Sequence, residues 1–315
     1  MTKPASHALR IEPVGGSRWA WAACVLAICL FMTGLVGPRA AEAAISGCSV
    51  TSSGIAFSPY DGVAKTSVDG VGTITVSCTG SGIENLSLNL AGGNTGSCTT
   101  RQMRRGTASL NYQIFREASA SSAWCEGGSR LDITLNFASG ATQTASYTMY
   151  GQVGSGQNPT FGSYTDSLSV VLKRGGGTLA STTASISGSV SPICSVSAGS
   201  LGFGTYSAAA ATLGVASISV NCSNGGAYQV SLESGQYSTG STRRMAGPGG
   251  NFLNYELYSN SGRSIAWGNG TAFGGQVSGT GSGSAQSLVV YGRIPASQLS
   301  TPGSYSDSVI VTVEY

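Results

Sequence analysis

The stretch Gly162-Ser163-Tyr164-Thr165-Asp166-Ser167-Leu168-Ser169-Val170-Val171-Leu172 returns, barely altered, as Gly303-Ser304-Tyr305-Ser306-Asp307-Ser308-Val309-Ile310-Val311-Thr312-Val313. Each copy runs from a Gly-Ser turn into an alternating, β-branched segment, the pattern of a half-buried strand. Two lengths of chain that close on the same strand are expected to be two copies of one domain. The second copy finishes at Glu314-Tyr315, so the sequence predicts a last strand with nothing left to pair on its far side.

Other matches are collinear with this one. Cys48-Ser49-Val50 answers to Cys194-Ser195-Val196, and the alternating runs that end on Cys78 and Cys222 answer to each other. Leu110-Asn111-Tyr112 corresponds to Leu253-Asn254-Tyr255, Ala123-Trp124 to Ala266-Trp267, and Tyr150-Gly151 to Tyr291-Gly292, at offsets that fall from 146 to 141. Short alternating segments separated by Gly, Ser and Asn turns, with no 3.6-residue period after position 44, predict an all-β chain of two β-sandwich domains.

Residues 1–43 read as a secretory signal peptide. Arg10 and Arg18 precede an uncharged apolar run at 19–37, and Ala41-Glu42-Ala43 offers small residues at a cleavage site. A retained membrane anchor is the alternative for that run. Cys48 sits in a lipobox-like Ile45-Ser46-Gly47-Cys48, but its counterpart Cys194 argues for a structural role. Cleavage leaves 272 of 315 residues, with 12 basic and 11 acidic side chains, a balance that gives no reason to expect nucleic acid or an anionic membrane as partner.

Six cysteines remain, an even number that in an exported chain predicts disulfides. The repeat selects the pairing: Cys48–Cys78 and Cys194–Cys222 each open one copy, and Cys98 and Cys125 pair within the first. A loop near 30 residues contributes roughly 3–4 kcal/mol in the entropic model. No cofactor or metal is expected. The one histidine, His7, lies in the signal, which excludes a Ser-His-Asp arrangement and a His-ligated metal from the exported chain. Asp166 and Asp307 occupy equivalent places, as turn or strand-end residues do, and the chain is not expected to be an enzyme.

The same residues carry a resemblance. Cys-Ser-Val at 194–196, Leu-Asn-Tyr at 253–255, Ala-Trp-Gly at 266–268, Tyr-Gly-Arg-Ile-Pro at 291–295 and the closing motif at 303–313 are similar to the spore coat protein U domain family, which supplies subunits of archaic (Csu-type) chaperone–usher pili. The first copy resembles it more loosely, with Cys125 where the second has Gly268. The resemblance implies an immunoglobulin-like sandwich, the C-terminal one lacking its last strand. It also implies a cleft filled first by a periplasmic pilus chaperone and then by the next pilus subunit, delivered through an outer-membrane usher. In such strand addition main-chain hydrogen bonds supply affinity, and alternate side chains entering pockets supply specificity. The acceptor edge would be Val309, Ile310, Val311, Thr312 and Val313.

The expected organisation is a signal peptide at 1–43, an adhesin-like domain at 44–174, a connecting segment at 175–193 and a pilin domain at 194–315. In the connecting segment Thr182, Ala184, Ile186, Gly188 and Val190 share one parity and serines and a threonine the other. It reads either as a flexible Gly/Ser linker or as an internal donor strand that completes the first domain. Only Ala44 to Gly47 would precede Cys48 after cleavage, a reach of about 14 Å, too short for a donor strand. The expectation is therefore a subunit at the pilus tip, on the cell surface, able to accept a strand but not to give one.

Phe57, Tyr60, Val63 and Phe161 stand beside turn residues, and exposed apolar tips mark contact sites; their alternative is packing under their own turns. Arg101, Arg104 and Arg105 suggest an acidic glycan or a solvated face. The function expected is a tip adhesin for surface attachment and biofilm formation, with a surface or glycan as ligand. A structural coat or matrix protein of the same family, or a secreted polysaccharide-binding protein, are the alternatives.

Overall fold

A computed structural model describes residues 44–270 and 272–315. The expected signal peptide lies outside the described residues. Within them the first repeat carries strands β1 (Ala44–Ser52), β2 (Ile55–Ala56), β3 (Tyr60–Asp61), β4 (Val68–Leu90), β5 (Arg101–Arg105), β6 (Ala108–Phe115), β7 (Leu131–Val153), β8 (Gly162–Arg174) and β9 (Gly177–Ser191). The second carries β10 (Cys194–Ala198), β11 (Thr212–Cys222), β12 (Ala227–Leu232), β13 (Arg243–Ala246), β14 (Phe252–Tyr258), β15 (Val277–Thr280), β16 (Ala285–Ile294) and β17 (Val311–Glu314). The molecule is all-β, with two immunoglobulin-like β-sandwich domains, one per repeat.

In domain 1 the strand order is β1-β4-β7-β6-β5-β8-β9-β2, with β3 also on β9 and β4 reaching β8. β4 and β7 run antiparallel from Val68↔Val153 to Leu88↔Leu131, with a register shift between Gly80 and Gly82. That irregularity lets one ribbon serve both layers. Domain 2 breaks the same path into two sheets, β10-β11-β16-β14-β13 and β15-β12-β17. Alternation decides the faces. Ile74, Val76 and Cys78 point into the domain 1 core, while the outward parity pairs hydroxyls across strands: Thr75 with Ser146 at 3.1 Å, Ser77 with Thr144 at 3.0 Å and Thr79 with Thr142 at 2.7 Å. The Ser/Thr richness of the chain is thus the solvent face of its strands.

All three disulfides are present: Cys48–Cys78, Cys98–Cys125 and Cys194–Cys222. The first and third join the opening strand of each domain to its neighbour at paired positions. Trp124 and Trp267 are buried, and each indole N–H donates to a strand carbonyl, Leu88 O at 3.0 Å and Val230 O at 2.9 Å.

Arg101 is fully buried, which corrects its reading as part of a surface arginine cluster. Its guanidinium donates to the carbonyls of Ala91 at 2.9 Å and Trp124 at 2.7 Å and to Gln113 Oε1 at 2.6 Å. Arg243 repeats the arrangement, donating to the carbonyls of Leu232, Glu233 and Trp267 at 2.8, 2.9 and 3.2 Å. A planar fork of donors can gather carbonyls left over where strands end and loops begin. Arg104 and Arg105 remain exposed.

Candidate functional site

The two domains treat one groove differently. In domain 1, β9 lies along β8 in antiparallel register from Gly162↔Val190 to Arg174↔Gly177, and on its other flank pairs in parallel with β2 (Ile55↔Ile186) and β3 (Tyr60↔Val190). The alternation noted in the sequence sets its faces. Ala184, Ile186 and Val190 are buried, Thr182 and Gly188 are half-buried, and Thr183, Ser185 and Ser187 face solvent. Gly188 has a steric reason: a Cβ there would come within 3.2 Å of Met103 and 3.5 Å of Phe57. With β9 in place, Tyr164, Leu168, Val170 and Leu172 are all buried.

Domain 2 has an equivalent lining and, among the described residues, no strand over it. Leu201 and Phe203 stand where domain 1 has Ile55 and Phe57, Met245 where it has Met103, Tyr255 where it has Tyr112, and Tyr305 and Val309 where it has Tyr164 and Leu168. Together they line an open groove of about 320 Å³. β17 pairs with β12 from Gln229↔Glu314 to Leu232↔Val311. On its other flank it pairs with no strand among the described residues. Val309, Val311, Thr312 and Val313 are only half-buried, and Ile310 is 68% exposed.

Both grooves contain a tyrosine–aspartate pair. Tyr112 Oη donates to Asp166 Oδ2 and Tyr255 Oη to Asp307 Oδ2, each at 2.6 Å. Burial, followed by the hydrogen bond to the carboxylate, raises both phenol pKa values above their ordinary range. Burial likewise pushes the Arg101 and Arg243 guanidinium values down.

The proposed surface contacts fare unevenly. Phe57 and Tyr60 are buried in the domain 1 core, so they are withdrawn from any exposed tip. Phe57 packs on Tyr112 with ring centroids 6.0 Å apart, and Tyr60 Oη donates to the Gln157 carbonyl at 3.3 Å. Val63 is half-buried in the turn closed by Asp61, whose Oδ1 accepts its N–H at 2.7 Å. Phe161 is also half-buried; its N–H donates to Asn224 O of domain 2 at 3.2 Å, and Arg105 lies 5.7 Å over its ring. Its place is the junction between the domains.

The buried arginines escaped a reading by residue type. The spacing Arg101-x-Met103 and its copy Arg243-x-Met245 was the available signal, because a charged residue held in both copies beside a core methionine marks a shared scaffold. The repeated Phe57-x-x-Tyr60 and Phe203-x-x-Tyr206 carried the same message.

A family model described as Spore Coat Protein U domain matches residues 37–171 and 180–312. No curated protein matches the chain. Among solved structures, the CsuC–CsuE chaperone–tip adhesion subunit pre-assembly complex from archaic chaperone–usher Csu pili of Acinetobacter baumannii is 20% identical, with a TM-score of 0.49 over 74% of this chain and 85% of that one. The CupB6 tip adhesin of Pseudomonas aeruginosa is 13% identical, with a TM-score of 0.36 over 85% of this chain and 94% of that one. CfaE, the adhesive subunit of CFA/I fimbria of enterotoxigenic Escherichia coli, is 9% identical, with a TM-score of 0.30 over 72% and 86%.

Proposed function

The chain belongs to the Spore Coat Protein U domain family, and on that footing we propose that it is the end subunit of a chaperone–usher pilus, binding a surface or glycan through domain 1. One observation carries the reading: a groove with an equivalent lining is filled from within the chain in domain 1 and open in domain 2. β9 acts as an internal donor strand, so domain 1 needs no strand from another subunit. Domain 2 takes one, first from a periplasmic chaperone and then, at the outer-membrane usher, from the next subunit. An unpaired edge beside an open apolar groove invites aggregation unless something occupies it, which is the reason for a chaperone. The adhesin works by binding, and attachment of this kind is the step from which biofilm grows.

A synthetic peptide of residues 177–191, added to the full exported chain, tests the groove. The calorimetric transition of domain 2 should rise, by about 2.7 kcal/mol in stability at a hundredfold excess over Kd. No shift at millimolar peptide would sink the acceptor reading. Immunogold labelling of fibres tests the placement: gold confined to fibre ends is expected, whereas gold along the lengths would favour a structural coat subunit.

A further inference from the structure

The loops after β7 and β16 are built alike. In domain 1 the Asn111 N–H donates to Gln157 Oε1 at 2.7 Å, Gln157 Nε2 donates to Asn111 O at 2.8 Å and Gly154 O at 2.9 Å, and the Gln157 N–H donates to Tyr60 Oη at 2.9 Å. In domain 2 Asn254, Gln298, Pro295 and Tyr206 repeat all four bonds, at 2.8, 2.9, 3.2 and 3.0 Å. Tyr164 and Tyr305 then donate to the carbonyls of Thr160 and Thr301 at 2.6 and 2.9 Å. These anchors bring Asn158 into correspondence with Leu299, Phe161 with Pro302, and residues 62–64 with 208–210.

In domain 1 this end of the sandwich forms the joint with domain 2, and Asn158 makes hydrogen bonds across it. Asn158 Nδ2 donates to Ser282 O at 3.0 Å, Asn224 Nδ2 donates to Asn158 O at 3.0 Å, and a Cβ on Gly62 would come within 3.2 Å of Ser223 Oγ. At the matching end of domain 2 one position changes character: Leu299 stands where domain 1 has Asn158, whereas Val63, Ala64 and Phe161 are already apolar. Residues 208–211 are four exposed alanines, Pro302 is exposed, and Leu299 is 97% exposed. The Ser297 N–H donates to Ala208 O at 2.8 Å and ties the loop that carries Leu299 to the alanine loop.

Chain geometry says what covers these residues. β9 leaves its groove opposite Gly162, and only Pro192 and Ile193 separate it from β10, which sets domain 2 directly against the loop at 158–161. A strand lying in the domain 2 groove as β9 lies in domain 1 would leave opposite Gly303, next to Pro302. We propose that Leu299, Pro302 and the alanines at 208–211 form a second docking surface, seated on the body of the same subunit whose strand enters the groove. That subunit carries apolar residues in the turn after its second cysteine, where domain 2 has Asn224 and Gly225. The inference rests on the strand-acceptor reading and puts an apolar contact, through Leu299, at the place where Asn158 makes polar ones in the chain's own joint.

Photocrosslinking tests it in cells that assemble the fibre, with benzoylphenylalanine at position 299 and, as control, at Val71, which is 67% exposed on domain 1. The expected crosslink from 299 maps to a fibre subunit of this family, within a few residues of its second cysteine, with none from 71. A crosslink elsewhere, or to the chaperone alone, overturns the proposal. Leu299→Asp and Leu299→Asn should each speed release of the chain from fibre ends about tenfold and leave the thermal shift given by the 177–191 peptide unchanged. If the shift is intact and release unaltered, the docking surface is wrong. A shift lost in both variants would also overturn it, by making Leu299 part of the groove. If the unaltered chain shows no peptide shift, the strand-acceptor reading itself fails.

Discussion

Tyr112 donates a hydrogen bond from its hydroxyl to Asp166 at 2.6 Å inside a groove that the chain's own strand covers, and both side chains are buried there. The other oxygen of Asp166 accepts the N–H groups of Asn94 at 2.8 Å and Ser167 at 2.7 Å. Gly93, at φ +68, passes so close to the carboxylate that no side chain fits. Gly235, at φ +88, does the same beside Asp307 in domain 2.

The pair makes the fold sensitive to alkali. Burial and the hydrogen bond to Asp166 raise the Tyr112 pKa above its ordinary value near 10. A group whose folded pKa is raised stabilises the fold fully below its unfolded pKa, and this contribution is lost as pH climbs towards the folded value. Denaturant melts of the full chain between pH 8 and pH 11 should show stability falling from about pH 10. Tyr112→Phe should flatten that fall in domain 1; an unchanged slope would remove the pair as its cause.

Gly188 tests how tightly β9 is held. Its missing side chain leaves room for Met103 and Phe57, so Gly188→Leu should overpack the groove and destabilise domain 1 by about 1–3 kcal/mol. The domain 2 transition in calorimetry should stay where it is. A neutral effect on domain 1 would mean that β9 is not packed against Met103.

Arg101→Lys keeps the charge and loses the fork. A single ammonium cannot reach Ala91 O, Trp124 O and Gln113 Oε1 together, and each buried acceptor left without a partner costs about 1–3 kcal/mol. Domain 1 should lose at least about 2 kcal/mol by denaturant titration. Arg104→Lys, on an exposed side chain, should change stability by less than about 0.5 kcal/mol.

The Cys98–Cys125 bridge belongs to domain 1 alone, since Gly268 stands in the second copy where Cys125 stands in the first. Replacing both cysteines by alanine should cost about 2–4 kcal/mol and raise amide exchange between residues 99 and 124. Exchange in the second repeat should not move. If protection in 99–124 is unaffected, the bridge does not restrain that segment.

Much of this was legible from pattern. The duplicated closing strand, the parity of 182–190 and the spacing of Cys48, Cys78, Cys194 and Cys222 are local or repeated signals, and period-two alternation states which side chains share a face. Burial of single residues was less legible. Phe57 and Tyr60 sit beside turn residues and read as loop tips, yet the turn folds back over the core and takes both rings with it. Arg101 read as surface charge because residue type says nothing about how many carbonyls converge on one point.

By itself the sequence determined that there are two copies of one sandwich, that each closes on the same strand, and that residues 182–190 carry a strand's alternation. Only the tertiary structure decided which edge that strand occupies. Pairing is a contact between segments distant along the chain, and alternation names a strand without naming its neighbour. Leu168 and Val309 hold equivalent places in nearly identical motifs, yet one is sealed beneath β9 and the other lines an open groove. The cause is a second pairing partner: the turn after Arg174 brings β9 back along β8, and nothing among the described residues does the same for β17.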